Sequence, residues 1–173
     1  MRARTALVAI IVLISAGSAF SQTVGPAQTV RAFYEFSEAR SPVFNRKHIE
    51  LRRRWYTPEL YRLFLEELRK EQVFLKQHPN EKTFFGDGLD FRPLDEPCAA
   101  NGKEYRRSRS TSRTQAGKNR AYVDVKFAYP DICTEAPIVY RVNLKKVRGR
   151  WLIDDWTYSS GKTLTQEMKE NKY

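Results

Sequence analysis

The stretch RAYVDVKFAYPDICTEAPIVYRVNLKKVRGRWLIDDWTY, residues 120–158, decides the fold. Three runs within it alternate apolar and polar residues, and short turns separate them. A period of two sends one set of side chains to a greasy face and the other to a wet face, the pattern of an antiparallel meander. Arg148 and Gly149 read as a two-residue hairpin turn. Counting back from it pairs Val147 with Arg150, Leu144 with Ile153, Val142 with Asp155 and Tyr140 with Thr157. The opposite face carries Asn143 beside Asp154, and Arg141 beside Trp156, where a cation–π contact could form. In that register one carboxylate, Asp155, stands among Tyr140, Val142, Leu144 and Ile153.

Upstream of the meander, residues 104–113 (EYRRSRSTSR) predict a first long strand. It is so polar that it belongs at an edge or has one buried side. Residues 115–119 make the turn into the meander. Earlier still, the periodicity changes to that of helices. Pro26 opens a helix in which Val30, Phe33, Tyr34 and Ser37 share a face, and Ser41-Pro42 ends it. Asn45 caps a second helix with Leu51 and Trp55 on one side. Thr57 and Pro58 are the cap and first residue of a third. Its stripe is Leu60, Leu63, Phe64 and Leu68, and Arg62–Glu66 and Glu66–Lys70 pair on its wet face. That helix ends before His78-Pro79. Residues 80–102 are loop-rich, with short extended pieces expected at Phe84, Phe85 and residues 89–91. Residues 159–161 turn the chain, and residues 163–171 predict a short terminal helix. The fold class is therefore α+β, with N-terminal helices packed on a curved, mostly antiparallel sheet that ends in a β-meander.

The first residues set the compartment. Arg2 and Arg4 precede an apolar run, residues 6–16, and Ala19 and Ser21 are spaced like the positions before a cleavage point. This is a secretory signal peptide over residues 1–21, followed by a linker at 22–26 and a single domain at 27–173. The apolar run is short for a bilayer span, and no later segment is apolar enough for one. Cys98 and Cys133 suit an oxidising compartment and one disulfide. Cys98 precedes the first long strand and Cys133 follows the next, so in an antiparallel pair they fall at the same end. A bridge there would stabilise by roughly 3–4 kcal/mol on loop-closure grounds. The expected location is periplasmic or secreted.

The chain holds 31 Lys+Arg against 20 Asp+Glu, a formal charge of +11, to which the leader contributes only Arg2 and Arg4. An exported domain of that sign is drawn to anionic partners: lipid surfaces, acidic glycans, nucleic acid or an acidic protein.

The opening AQTVRAFYEF, the segment RWYTPELYRLF, the loop GDGLDFRPLDE, the strand NRAYVDVKF and the ending VYRVNLKKVRGRWLIDDWTYSSGKTL carry a resemblance. Together they resemble the nuclear-transport-factor-two-like superfamily of cone-shaped α+β domains, in a branch of secreted bacterial proteins. The resemblance spans about residues 27–168 and implies the fold rather than an activity. Superfamily members include isomerases, dehydratases, hydrolases and non-enzymatic binding domains.

The candidate residues follow. Asp155 is the candidate acid/base, because superfamily enzymes resemble one another in placing an acid inside the cone, and a carboxyl on an apolar face can be tuned for proton transfer. The favoured reading is structural: a carboxylate that bonds a buried group and ties helix to sheet. Tyr140 and Trp151 join Asp155 as candidate binding residues. His48 reads as a rim residue and His78 as a helix-end residue. Two basic clusters stand out, residues 52–54 and the group Arg106, Arg107, Arg109 and Arg113. The second could track phosphates or sulfates along a strand, but reads better as a charged edge that blocks aggregation. The acids of GDGLDFRPLDE depart from calcium-loop spacing, two cysteines and two distant histidines make no zinc set, and there is no nucleophile elbow or cofactor motif. No metal or cofactor is expected. The leading expectation is a non-catalytic, exported binding module meeting an anionic envelope component or a protein. The alternatives are a small isomerase- or hydrolase-type enzyme using Asp155, and an inhibitor or immunity-type protein.

Overall fold

The computed structural model describes residues 24–40, 43–86, 108–128 and 138–171. Residues 1–21, Cys98, Cys133, Arg106 and Arg107 lie outside the described residues, and so do the expected cleavage site and the expected disulfide.

Each helix starts where its capping chemistry says it should. Helix α1, Pro26–Glu38, has Pro26 in its first turn, and the Gln28 side chain accepts from the Gly25 N–H at 3.1 Å. Helix α2, Arg46–Arg52, is capped by Asn45, whose Oδ1 accepts from the His48 N–H at 2.9 Å. It tightens into a 3₁₀ turn, Arg53–Trp55. Helix α3, Pro58–Gln77, begins with the Thr57 hydroxyl accepting from the Leu60 N–H at 3.3 Å. Helix α4, Leu164–Glu170, has a full capping box between Thr163 and Gln166.

The tightening after α2 corrects one expectation. Trp55 is buried, but Leu51 is 42% exposed, and Ile49 and Arg52 form the buried side of α2. A 3₁₀ turn has three residues per turn rather than 3.6, so Trp55 is swung away from Leu51. On α3 the apolar stripe forms, with Leu63 only half-buried. Arg62 pairs with Glu66, but Lys70 goes to Glu67 at 2.8 Å instead. Phe84 and Phe85 lie in a turn rather than a strand, and Phe85 joins the core.

Among the described residues the sheet has four strands in the order of the chain: β1 (Ser108–Ala116), β2 (Arg120–Ala128), β3 (Ile138–Val147) and β4 (Arg150–Thr157). The pairings between these strands are antiparallel, and Tyr56 adds an isolated parallel bridge to Ile153. The first strand runs three residues past Arg113, so the turn into β2 tightens to residues 117–119. Helix α1 packs against β1, β2 and β4, while α3 and α4 pack against β4. The protein is thus α+β, with its helices gathered on one face of an antiparallel meander.

That face is filled. Val123, Val125 and Phe127 of β2, Val142 and Leu144 of β3, and Ile153 and Trp156 of β4 meet Phe33, Tyr34, Leu60 and Phe64. Phe33 lies 5.6 Å from the Trp156 ring and 5.9 Å from Tyr56, and Tyr56 lies 5.1 Å from Phe64. These are the tilted and edge-on spacings that aromatic quadrupoles favour. The Trp156 indole N–H donates to the Tyr34 hydroxyl at 3.3 Å.

The register of the last hairpin matches the sequence reading from Val147–Arg150 to Leu144–Ile153, and then departs from it. Asn143 faces Asp155, Val142 faces Trp156, and Arg141 faces Thr157. Asp154 is the extra residue of a β-bulge. One inserted residue reverses the alternation beyond it, so Trp156 takes the inward place and Asp155 the outward one.

Candidate functional site

Asp155 does not stand on the apolar face. It is half-buried beside β4, and both carboxylate oxygens are engaged. Oδ1 accepts from the Trp156 N–H at 2.8 Å and from the Thr165 N–H at 3.0 Å. Oδ2 accepts from the Thr165 hydroxyl at 2.5 Å. Thr165 is the second residue of α4, where backbone N–H groups have no partner within the helix. A carboxylate there also meets the positive end of the helix dipole, worth about 0.3–1 kcal/mol. Asp155 therefore fastens α4 to the sheet. Of the other candidate binding residues, Tyr140 packs edge-on to Phe127 and Tyr158, and Trp151 is half-buried near Lys146, whose ammonium lies 5.6 Å from its ring.

The outer face of the sheet is polar and internally paired. Arg141 grips Asp124 through two bonds, 2.9 and 3.3 Å, and lies over the Tyr122 ring at 4.0 Å, rather than over Trp156. Its bond to Asp124 holds the guanidinium pKa above the ordinary value. The Tyr122 hydroxyl donates to Gln115 at 2.6 Å, and Asn143 donates to the Thr157 hydroxyl at 2.8 Å. Between these groups runs an open groove of about 420 Å³, lined by Gln115, Arg120, Tyr122, Asn143, Asp154 and Asp155. It offers two acids and no histidine. Among the described residues no group of three His, Cys, Asp or Glu is placed to hold a metal ion. His48 lies at the start of α2, its Nδ1 2.9 Å from the Val43 carbonyl, and His78 stacks on Phe74 at the end of α3. Neither reaches the groove.

The strand cluster of arginines is not a free row. Arg109 bonds Glu38 of α1 at 2.9 and 3.2 Å and lies 5.3 Å from the Tyr34 ring, so it ties β1 to α1. Arg113 is described at backbone level, where its Cα faces Asp124. The other cluster, residues 52–54, divides. Arg52 is fully buried; it donates to the Ser37 hydroxyl at 3.2 Å and to the His48 carbonyl at 3.1 Å, joining α1 to α2. Burial pushes the hydroxyl of nearby Tyr56 far above its ordinary pKa, with the Arg52 charge opposing the shift.

Arg53 and Arg54 remain on the surface, and each is laid over a ring. Arg53 lies 5.0 Å from the Tyr61 ring centre. Arg54 lies 3.9 Å from Trp55 and 4.9 Å from Phe36. Arg40, from the end of α1, covers the same Phe36 ring at 3.5 Å. The Phe36 and Trp55 rings are 4.4 Å apart, and Arg150, the first residue of β4, donates to the Arg54 carbonyl at 3.3 Å. Each stack at an exposed site is worth about 0.5–1 kcal/mol, enough to order a side chain that would otherwise sample many rotamers. The result is a shelf of preset guanidinium groups from three separate parts of the chain. Sequence reasoning missed Arg40 and Arg150. The available signals were the helical spacing of Phe36 and Arg40, and the placement of Arg150 directly after the turn.

No family model matches the chain, and no curated protein matches it. Among solved structures, the chain is similar to a phospholipid-binding protein from Ralstonia solanacearum, solved with a bound phospholipid. The two are 12% identical and superpose with a TM-score of 0.35, over 85% of this chain and 70% of the other. A likeness at that level bears on neither ligand nor mechanism.

Proposed function

We propose that the protein is an exported, non-catalytic binding module of the bacterial envelope, built on the nuclear-transport-factor-two-like plan. The observation that supports this reading is the filled interior. Where a superfamily enzyme would hold an acid in a cavity, this chain has Trp156, packed on Phe33 and bonded to Tyr34. Asp155 spends its oxygens on Trp156 and Thr165. With the interior occupied, recognition falls to the surface, and a chain of charge +11 favours an anionic partner. Among the described residues, no helix is long and apolar enough to cross a membrane.

Two measurements test the reading. Mass spectrometry of the envelope fraction should find Gln22 at the N-terminus, and an intact Met1 in the cytosol would overturn export. Small apolar fragments titrated into the mature protein should shift NMR signals of exposed residues only. Shifts centred on Trp156 and Tyr34 would mean that the interior opens to ligands, and would restore the enzyme reading.

A further inference from the structure

The exposed cations of this protein are not alike. Arg62 is answered by Glu66 one turn on, and Lys162 by Glu170 at the end of α4. Among the described residues, no carboxylate pairs with Arg40, Arg54 or Arg150, although all three are exposed. Two of them bond backbone carbonyls instead: Arg40 to Phe36 at 2.9 Å, and Arg150 to Arg54 at 3.3 Å. Arg40 and Arg54 cover one ring, so their guanidinium carbons are no further apart than their two distances from its centre, 3.5 and 4.9 Å, taken together. Holding like charges that close is unfavourable unless something anionic lies across them. Stacking occupies the flat face of a guanidinium and leaves in-plane N–H groups for oxyanions, which they bind in pairs.

Beside the shelf the surface turns apolar. Leu51 precedes Arg54 by three residues, one turn at 3₁₀ spacing, and both are exposed. Leu51 is 42% exposed and Val43, just ahead of α2, is 50% exposed. We infer that this shelf, with Leu51 at its margin, is a docking surface for an anionic phospholipid membrane. The inference rests on the binding-module reading and names its partner. A phospholipid surface offers both things the patch lacks: phosphate oxygens for the guanidinium edges and an apolar boundary for leucine and valine side chains. A sulfated glycan would give the aliphatic side chains nothing. Nucleic acid bound by stacking needs open rings, and here Phe36 and Trp55 already lie under guanidinium groups.

The test is co-sedimentation of the mature chain, residues 22–173, with vesicles of phosphatidylglycerol and phosphatidylethanolamine, beside vesicles of phosphatidylcholine alone. Heparin retention is measured in parallel. The wild-type chain should pellet with the anionic vesicles only, and less so as salt rises. A cation near an anionic surface contributes roughly fivefold in partitioning, so Arg40→Gln with Arg54→Gln should cost about twenty-five-fold. Lys118→Gln with Lys126→Gln removes the same charge from exposed positions of the β1–β2 hairpin and should cost less than about threefold. Leu51→Asn should weaken vesicle binding by about several-fold and leave heparin retention unchanged. Because Leu51 is on the surface, this variant carries the test if the arginine pair fails to fold.

Failure to pellet with anionic vesicles overturns the proposal. So does equal loss from the arginine and lysine pairs, or unchanged vesicle binding by Leu51→Asn. Heparin retention that depends on the arginine pair, without vesicle binding, assigns the shelf to a glycan instead. All these outcomes leave the binding-module reading standing. Fragment shifts at Trp156 would sink that reading without touching the shelf.

Discussion

Two adjacent rows cross the sheet, one residue apart. In the first, Thr114, Val123, Val142 and Trp156 face one another from β1 to β4. In the second, Gln115, Tyr122, Asn143 and Asp155 do the same. The last three members of the first row are sealed from water, at 0–1% exposure. The second row is half-buried over β2, β3 and β4, and its members are held by side-chain bonds: Tyr122 to Gln115, Asn143 to Thr157, Asp155 to Thr165. The inner row is specified by volume and the outer row by partners. A volume error cannot be compensated by water, whereas a lost partner on a half-open face can be replaced by it. The inner row should therefore be far the less forgiving.

The largest effect is expected at Trp156. Trp156→Ala should cost about 3–5 kcal/mol in chemical denaturation, because it removes a buried ring packed on Phe33 and Tyr56. A cost below that of any outer-row change would break the comparison. Asp155→Asn comes next, at about 1–3 kcal/mol, since an amide can accept at one position only and leaves a donor of α4 unanswered. An unchanged or higher melting temperature would return Asp155 to the list of functional residues.

A third, smaller effect sharpens the comparison through pH. Burial raises the pKa of the inner-face tyrosines Tyr56 and Tyr158 above the ordinary 10.0. In the unfolded chain they lose their protons near 10, and in the folded chain they do not. The unfolded state then binds fewer protons, so their contribution is full below about pH 10 and is lost as pH rises beyond it. Tyr158→Phe should flatten the fall of melting temperature on the alkaline side. An equal slope in the variant would remove Tyr158 as its source.

The smallest effect is expected from deleting Asp154. Without it, Ile153 still faces Leu144, Asp155 faces Asn143 and Trp156 faces Val142, so neither row changes face. The deletion should keep the far-UV circular dichroism of the parent and cost less than Asp155→Asn. A collapse of the fold would show that the bulge sets strand curvature as well as register.

This bulge also marks where the sequence stops being legible. Alternation and the Arg148–Gly149 turn give the meander and the hairpin register as far as Ile153, since period two is strong over β2 and β3. Beyond it, Ile153-Asp154-Asp155-Trp156 offers two identical acids in a row, and nothing local says which is the extra residue. What decides is Trp156, which fits the space bounded by Phe33 and Tyr34, two residues far away in the chain. The helices were legible from their caps, and the short last helix from its position after the turn. The arginine shelf was not, because it gathers residues 40, 54 and 150 from parts of the chain that only folding brings together. The inward turn of Arg52 was hidden for a related reason: three arginines in a row look alike until the 3₁₀ turn separates their directions.

The two margins of the sheet differ as well. Along β4, Tyr56 bridges Ile153, the Thr57 N–H donates to the Ile153 carbonyl at 2.8 Å, and Thr163 bridges Thr157. On that side the chain itself therefore covers the edge at Ile153 and Thr157. Among the described residues the other margin is β1. A molecule blocked on one side can join a second copy through the other, but the pair then presents two blocked sides and stops. Strand addition would yield a twofold dimer and no fibre, which separates a reversible association from an insoluble one.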